Sequence, residues 1–280
     1  MTELEEQPFW DHLDDLAKRL RRILIVVFSA TIIFSTLPSD PQTLLKLDFK
    51  DYRPVVSIIL EIIQNRLLPE GVNLIAFNWL DAFYIYILVS LALGILVTLP
   101  YIAYQLYQFI MPALYANERR YAVRFILAFV ALFSVGALYA YFLLLPTTFK
   151  VLYRFVYQTR ISPLYSVKDF FNMVALGLVG SGLFYTFPIV IYLLVKADLI
   201  EVDTLKSNRK QVFVVLAVLT AILTPDPTPF SMLLMSIPFY LLYEVTIQIL
   251  QRTSGSDENT ETLERGIMAS RRLLQQNVGE

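Results

Sequence analysis

Uncharged apolar runs alternate with shorter polar stretches along the chain, at 23–39, 82–117, 125–149, 171–195, 211–225 and 227–243. An α-helix rises about 1.5 Å per residue and a bilayer's hydrocarbon core is about 30 Å thick, so roughly 20 apolar residues are needed to cross. The pattern predicts an all-α integral membrane protein of six transmembrane helices near 23–39, 82–112, 125–149, 171–195, 211–225 and 227–250. Runs two to four clear the length easily. The fifth and sixth are shorter and are joined by Thr224-Pro225-Asp226-Pro227-Thr228-Pro229, which predicts a tight hairpin of short helices that thins the bilayer locally. The first run follows a long segment of mixed charge and lacks a small-x-small site after Ser39, so it reads as a retained span rather than a cleaved signal.

Around these spans, residues 1–22 predict an amphipathic N-terminal helix, 23–250 a membrane domain and 251–280 a polar tail in which Ile267, Leu273 and Leu274 permit a short helix. Lys and Arg concentrate on one side: 15 lie in the N-terminal segment, the second-to-third loop, the fourth-to-fifth loop and the tail, against 8 in the alternate segments. The positive-inside rule then puts both termini in the cytoplasm, in a multi-pass protein of the cell membrane. The long first outer loop carries an apolar stretch at 55–68 bracketed by Pro54 and Pro69. It predicts an amphipathic helix with Ile59, Ile62, Ile63 and Leu67 on one side, packed over the span tops or lying on the outer leaflet. Ser166 followed by Asp169 is a capping-box pattern ahead of the fourth run. Pro100, Pro112, Pro146, Pro188 and Pro238 fall in or near spans and favour kinks, giving a curved, concave bundle.

Composition narrows the chemistry. Apolar residues make up 56% and aromatics 14%, more than a water-soluble domain of this size carries. A net charge of -1 points to no nucleic acid. With no cysteine and a single histidine, His12, the chain lacks the residues for thiol catalysis, iron–sulfur ligation, an H-E-x-x-H zinc site or haem bis-imidazole ligation. Neither a phosphate loop nor a nucleophile elbow is present. No enzyme activity, metal or cofactor is expected.

Acidic residues gather at two spots on the predicted cytoplasmic interface. In Phe9-Trp10-Asp11-His12-Leu13-Asp14-Asp15-Leu16-Ala17-Lys18-Arg19-Leu20, the residues Phe9, Leu13, Leu16 and Leu20 share one helical face. Asp14 with Lys18 and Asp15 with Arg19 are i,i+4 pairs, which by themselves are ordinary helix support of a few tenths of a kcal/mol. In the second spot, Asn117 is placed to cap the third span, with Glu118 in its first turn. Carboxylates flanked by apolar and aromatic groups also suit a doubly charged cationic ligand.

Four stretches give the chain a family resemblance, to TatC, the core membrane subunit of the twin-arginine protein translocase. His12-Leu13-Asp14-Asp15-Leu16 with Lys18-Arg19-Leu20 is similar to the family's H-L-x-E-L-R-x-R-L, with Asp15 for Glu and Ala17 for the first Arg. Tyr104-Gln105-Leu106-Tyr107-Gln108-Phe109-Ile110 through Pro112-Ala113-Leu114-Tyr115 to Glu118-Arg119-Arg120 resembles its most specific signature. Leu183-Phe184-Tyr185-Thr186-Phe187-Pro188-Ile189 matches the fourth-span pattern, with Thr186 where the family has Glu or Gln. Leu223-Thr224-Pro225-Asp226-Pro227-Thr228-Pro229-Phe230-Ser231 through Pro238 to Tyr243-Glu244 is close to the hairpin. Asp81 corresponds to an acidic family position before the second span.

The resemblance implies a subunit that binds the Arg-Arg signal peptide of folded cargo, recruits single-span TatA-type and TatB-type partners, forms homo-oligomers within the complex and uses the proton-motive force. Signal-peptide contact is expected at Asp15 and Glu118 with His12, Leu13, Asp14 and Leu16 beside them. Thr186, Asp226, Ser231 and Glu244 are the expected polar points for partner docking. Rival readings are a proton-coupled secondary transporter or channel for a small solute, an intramembrane aspartyl protease and a membrane scaffold. The transporter requires ionisable residues at mid-span, and the protease requires two aspartates within spans.

Overall fold

A computed structural model describes residues 9–39, 53–69, 71–110, 122–159, 164–196, 199–223 and 228–251. Its elements are α1 (Phe9–Thr36), α2 (Val55–Leu67), β1 (Asn73–Ile75), α3 (Asp81–Ile110), α4 (Ala122–Tyr139), a π-turn (Ala140–Leu144), α5 (Leu145–Thr159), β2 (Leu164–Ser166), α6 (Val167–Tyr185), α7 (Phe187–Lys196), α8 (Val202–Ser207), α9 (Arg209–Leu223) and α10 (Pro229–Gln251). Among the described residues, four helical segments are long and apolar enough to cross a membrane: Asp81–Phe109, Val123–Gln158, Val167–Lys196 and Pro229–Gln251. Two of the expected spans fall short. α9 has 15 residues, about 22 Å of helix. In α1 the uncharged part runs only from Ile23 to Thr36, behind Arg19, Arg21 and Arg22.

The expectation of a short sixth helix is corrected: α10 has 23 residues. Its uncharged run ends before Glu244, yet the helix continues to Gln251, with Glu244 paired to Arg209 of α9. The turn joining α9 and α10, with Asp226, lies outside the described residues, as do Glu118 and the tail.

Proline explains the breaks within spans. Pro188 has no N–H, and its ring would meet the carbonyl of Phe184, so the helix stops at Thr186 and restarts as α7. Pro146 would meet the carbonyl of Phe142 in the same way, and there the helix widens into the π-turn. Ser166 caps α6, its Oγ accepting from Asp169 N at 3.3 Å, as the sequence pattern predicts.

The core is a chain of four clusters. One joins Val56, Leu60, Ile63 and Leu67 of α2 to Ile85, Phe149, Phe170, Phe171 and Val174. This rotates the expected face of α2, since Ile62 is 53% exposed. Ser57, Glu61, Gln64 and Asn65 make a polar stripe, and the apolar residues span the rest of the circumference, so the pattern excludes one face without choosing among the others. The start of the helix is tied down by the antiparallel bridge of Pro38 with Pro54 and by Val55 N donating to Leu37 O at 2.8 Å. A second cluster joins α3, α4 and α7 through Leu99, Tyr107, Phe133 and Leu193. The others tie α10 to the π-turn, α6 and α9 through Phe239 and Leu216, and to α7 and α8 through Tyr243 and Ile247. β1 and β2 pair in parallel beside α2, with Asn73 opposite Leu164.

Hydroxyls in the helices bond mainly to their own backbone: Thr31 to Val27 O, Ser90 to Tyr86 O, Thr98 to Gly94 O and Thr246 to Leu242 O, at 2.7–2.8 Å. In hydrocarbon an unsatisfied hydroxyl is costly, and bonding back to the preceding turn avoids that cost.

Candidate functional site

α1 carries the polar N-terminal segment into the apolar one without a break, so the acidic turn is held by the same rod that packs along α3. Leu13, Leu16 and Leu20 point away from the bundle, 39%, 40% and 52% exposed. Asp15 and Arg19 lie on the face that continues into buried Val27 and Thr31. Asp15 Oδ2 accepts from Arg19 Nε at 2.7 Å, and Arg19 Nη1 donates to Gln108 Oε1 of α3 at 2.8 Å. Gln108 in turn donates to the Tyr104 hydroxyl. The Arg19 side chain is 17% exposed and that of Asp15 is 38% exposed, so the carboxylate is paired on one oxygen and open to solvent. Asp14 meets Lys18 at 3.3 Å with both side chains largely exposed. The side chain of His12 lies outside the described residues.

The structure therefore gathers Leu13, Asp14, Asp15 and Leu16 within one turn of α1. It adds two residues that sequence reasoning did not assign to the site, Arg19 and Gln108. The i,i+4 spacing signals the first; nothing in spacing signals the second, 89 residues away.

The polar residues expected at the docking site are separated. Thr186, buried at the α6–α7 break, donates to Leu183 O at 2.6 Å. Ser231 is fully buried, 3.1 Å from both Thr148 and Thr228 hydroxyls, and pins the start of α10 against α5. Glu244 Oε1 lies 2.6 Å from Arg209 Nη2, while its Oε2 and Arg209 Nε are buried without partners. Ser231 and Glu244 sit roughly 20 Å apart along one helix, so they do not share a site. Asp81, buried, accepts from Phe77 N and Asn78 N at 3.0 and 2.9 Å, fastening the turn before α3.

A cavity of about 120 Å³ lies near α2, lined by Leu68, Val72, Phe149, Leu152, Phe170 and Met173 among others. The Tyr165 hydroxyl on its wall is buried without a partner, and burial, with Tyr153 nearby, raises its pKa.

Long apolar helices with proline breaks and backbone-bonded hydroxyls, and a carboxylate at one end, define a polytopic helical membrane protein. Residues 11–238 match the family model described as Sec-independent protein translocase protein (TatC). The TatC of Aquifex aeolicus is 38% identical over 193 residues, 68% of this chain and 79% of the relative. That of a Blattabacterium species is 32% identical over 264 residues, covering 89% and 96%. A crystal structure of the twin-arginine translocase receptor TatC agrees with a TM-score of 0.70 at 32% identity, over 87% of this chain and 99% of that one. The chain belongs to the TatC family, as the four stretches imply, and is a protein translocase component rather than an enzyme.

Proposed function

We propose that this subunit recognises the Arg-Arg signal peptide of folded proteins with Asp15 and Glu118, one guanidinium to each carboxylate, while His12, Leu13, Asp14 and Leu16 contact the flanking peptide. The observation that carries the reading is the half-open Asp15 carboxylate at the head of α1, with exposed leucines beside it. A guanidinium presents a planar fork to a carboxylate, which an ammonium does not reproduce. Charge-assisted hydrogen bonds contribute roughly 1.5–3 kcal/mol each, so two supply on the order of a hundredfold selectivity or more. The test is signal-peptide crosslinking: Asp15→Asn and Glu118→Ala are each expected to reduce it at least tenfold. Unchanged crosslinking in either variant rejects the assignment.

In this reading the chain crosses the cell membrane six times with both termini in the cytoplasm, supported by the distribution of Lys and Arg. It nucleates a complex with TatA-type and TatB-type single-span subunits and further copies of itself, driven by proton-motive force. We assign partner docking to the face around Thr186, where Leu183, Phe187 and Val190 are 52%, 37% and 40% exposed at the helix break. Ser231 supports it by pinning α10 against α5 and Glu244 by pairing with Arg209 of α9, and Asp226 is assigned with them from the motif. Thr186→Val leaving partner co-purification and transport intact would refute this docking assignment. Solute transport finds no comparable support: the cavity near α2 is mainly apolar and many helix hydroxyls are taken by their own backbone.

A further inference from the structure

The carboxylate assigned above to a foreign guanidinium already holds one of the chain's own. Arg19 is more enclosed than Asp15 and uses two arms of its fork, Nε on Asp15 Oδ2 and Nη1 on Gln108 Oε1. An incoming arginine and Arg19 are chemically the same ligand for the same acceptor, so binding at that oxygen is an exchange. We infer that Arg19 is a resident occupant of the signal-peptide subsite, one that lowers affinity for any cation and sharpens the choice of arginine over lysine. This rests on the reading that Asp15 binds the peptide.

The sharpening follows from the charges. With Arg19 in place, the local charge of Asp15 is neutralised, and an ammonium, which binds mainly through net charge, gains little. A guanidinium can replace the departing contact and add a second on the open oxygen of the same carboxylate, while Arg19 keeps its bond to Gln108 and so is released without being stranded.

The experiment measures binding of fluorescent signal peptides carrying Arg-Arg or Lys-Lys to the purified full chain in detergent, with melting temperature recorded for every variant. Asp15→Asn is measured first; if it leaves Arg-Arg binding unchanged, the proposed function fails at this residue and the inference falls with it. Given a loss there, Arg19→Gln is expected to tighten Arg-Arg binding about fivefold, to tighten Lys-Lys binding by more, and to steepen the salt dependence of both. Unchanged or weaker binding at an unchanged melting temperature overturns the inference and leaves the role of Asp15 standing. Should Arg19→Gln melt early, Gln108→Leu decides, because it keeps the ion pair and removes only its anchor on α3. Weaker Arg-Arg binding, from an Arg19 now stranded when it leaves Asp15, supports a resident occupant, and unchanged or tighter binding overturns it.

Discussion

Arg209 and Glu244 meet through one short contact, leaving Arg209 Nε and Glu244 Oε2 buried and unpartnered. Such a pair stabilises less than a complete fork, yet removing one member strands the other. Glu244→Ala is expected to lower stability by about 1–2 kcal/mol, between the values for exposed and buried pairs, read as an earlier melting transition in detergent. The reciprocal swap of Arg209→Glu with Glu244→Arg should recover part of it. At this scale the sequence was uneven as a guide. Asp15 and Arg19 were legible because helical spacing makes them neighbours. Gln108 and Arg209 were not, because their partners come from distant helices and spacing carries no trace of which helix lies alongside. Glu118 lies outside the described residues, so its half of the proposed site rests on the motif.

Between elements, α4 and α6 approach at Gly136 and Gly182. A Cβ on Gly136 would sit 2.6 Å from the backbone oxygen of Ser181 and 2.7 Å from Tyr185 Cβ, and one on Gly182 would sit 2.6 Å from the fully buried Phe133 ring. Small residues let helices pack where no hydrophobic difference between protein and lipid drives them together. Gly136→Ala must therefore push the helices apart, with a stability loss of roughly 1–3 kcal/mol and a lower yield of folded protein in detergent, measurable by size-exclusion chromatography. The sequence predicted the break near Pro188 and the cap at Ser166, because both are local chemistry. It placed α10 near 227–250, close to the observed Pro229–Gln251, but described that helix as short because the uncharged run stops before Glu244.

For the whole molecule, the absence of cysteine makes topology directly measurable, since any introduced thiol is the only one. Gln64→Cys in α2 is expected to react with a membrane-impermeant maleimide on intact cells, and Glu201→Cys before α8 only after the membrane is opened. The reverse pattern would invert the proposed orientation. Three of the four long apolar helices were legible from length alone. The expected first and fifth spans were harder because α1 merges with its charged lead-in and α9 stops at 15 residues, so for them hydropathy and helix boundaries do not coincide.

The unbroken course of α1 has a mechanical side. From Asp15 to Thr36 the helix spans roughly 32 Å, and just beyond it the chain pairs Pro38 with Pro54 at the foot of α2. In the proposed reading, a pull on a peptide held at Asp15 would travel along one continuous helix to the foot of α2.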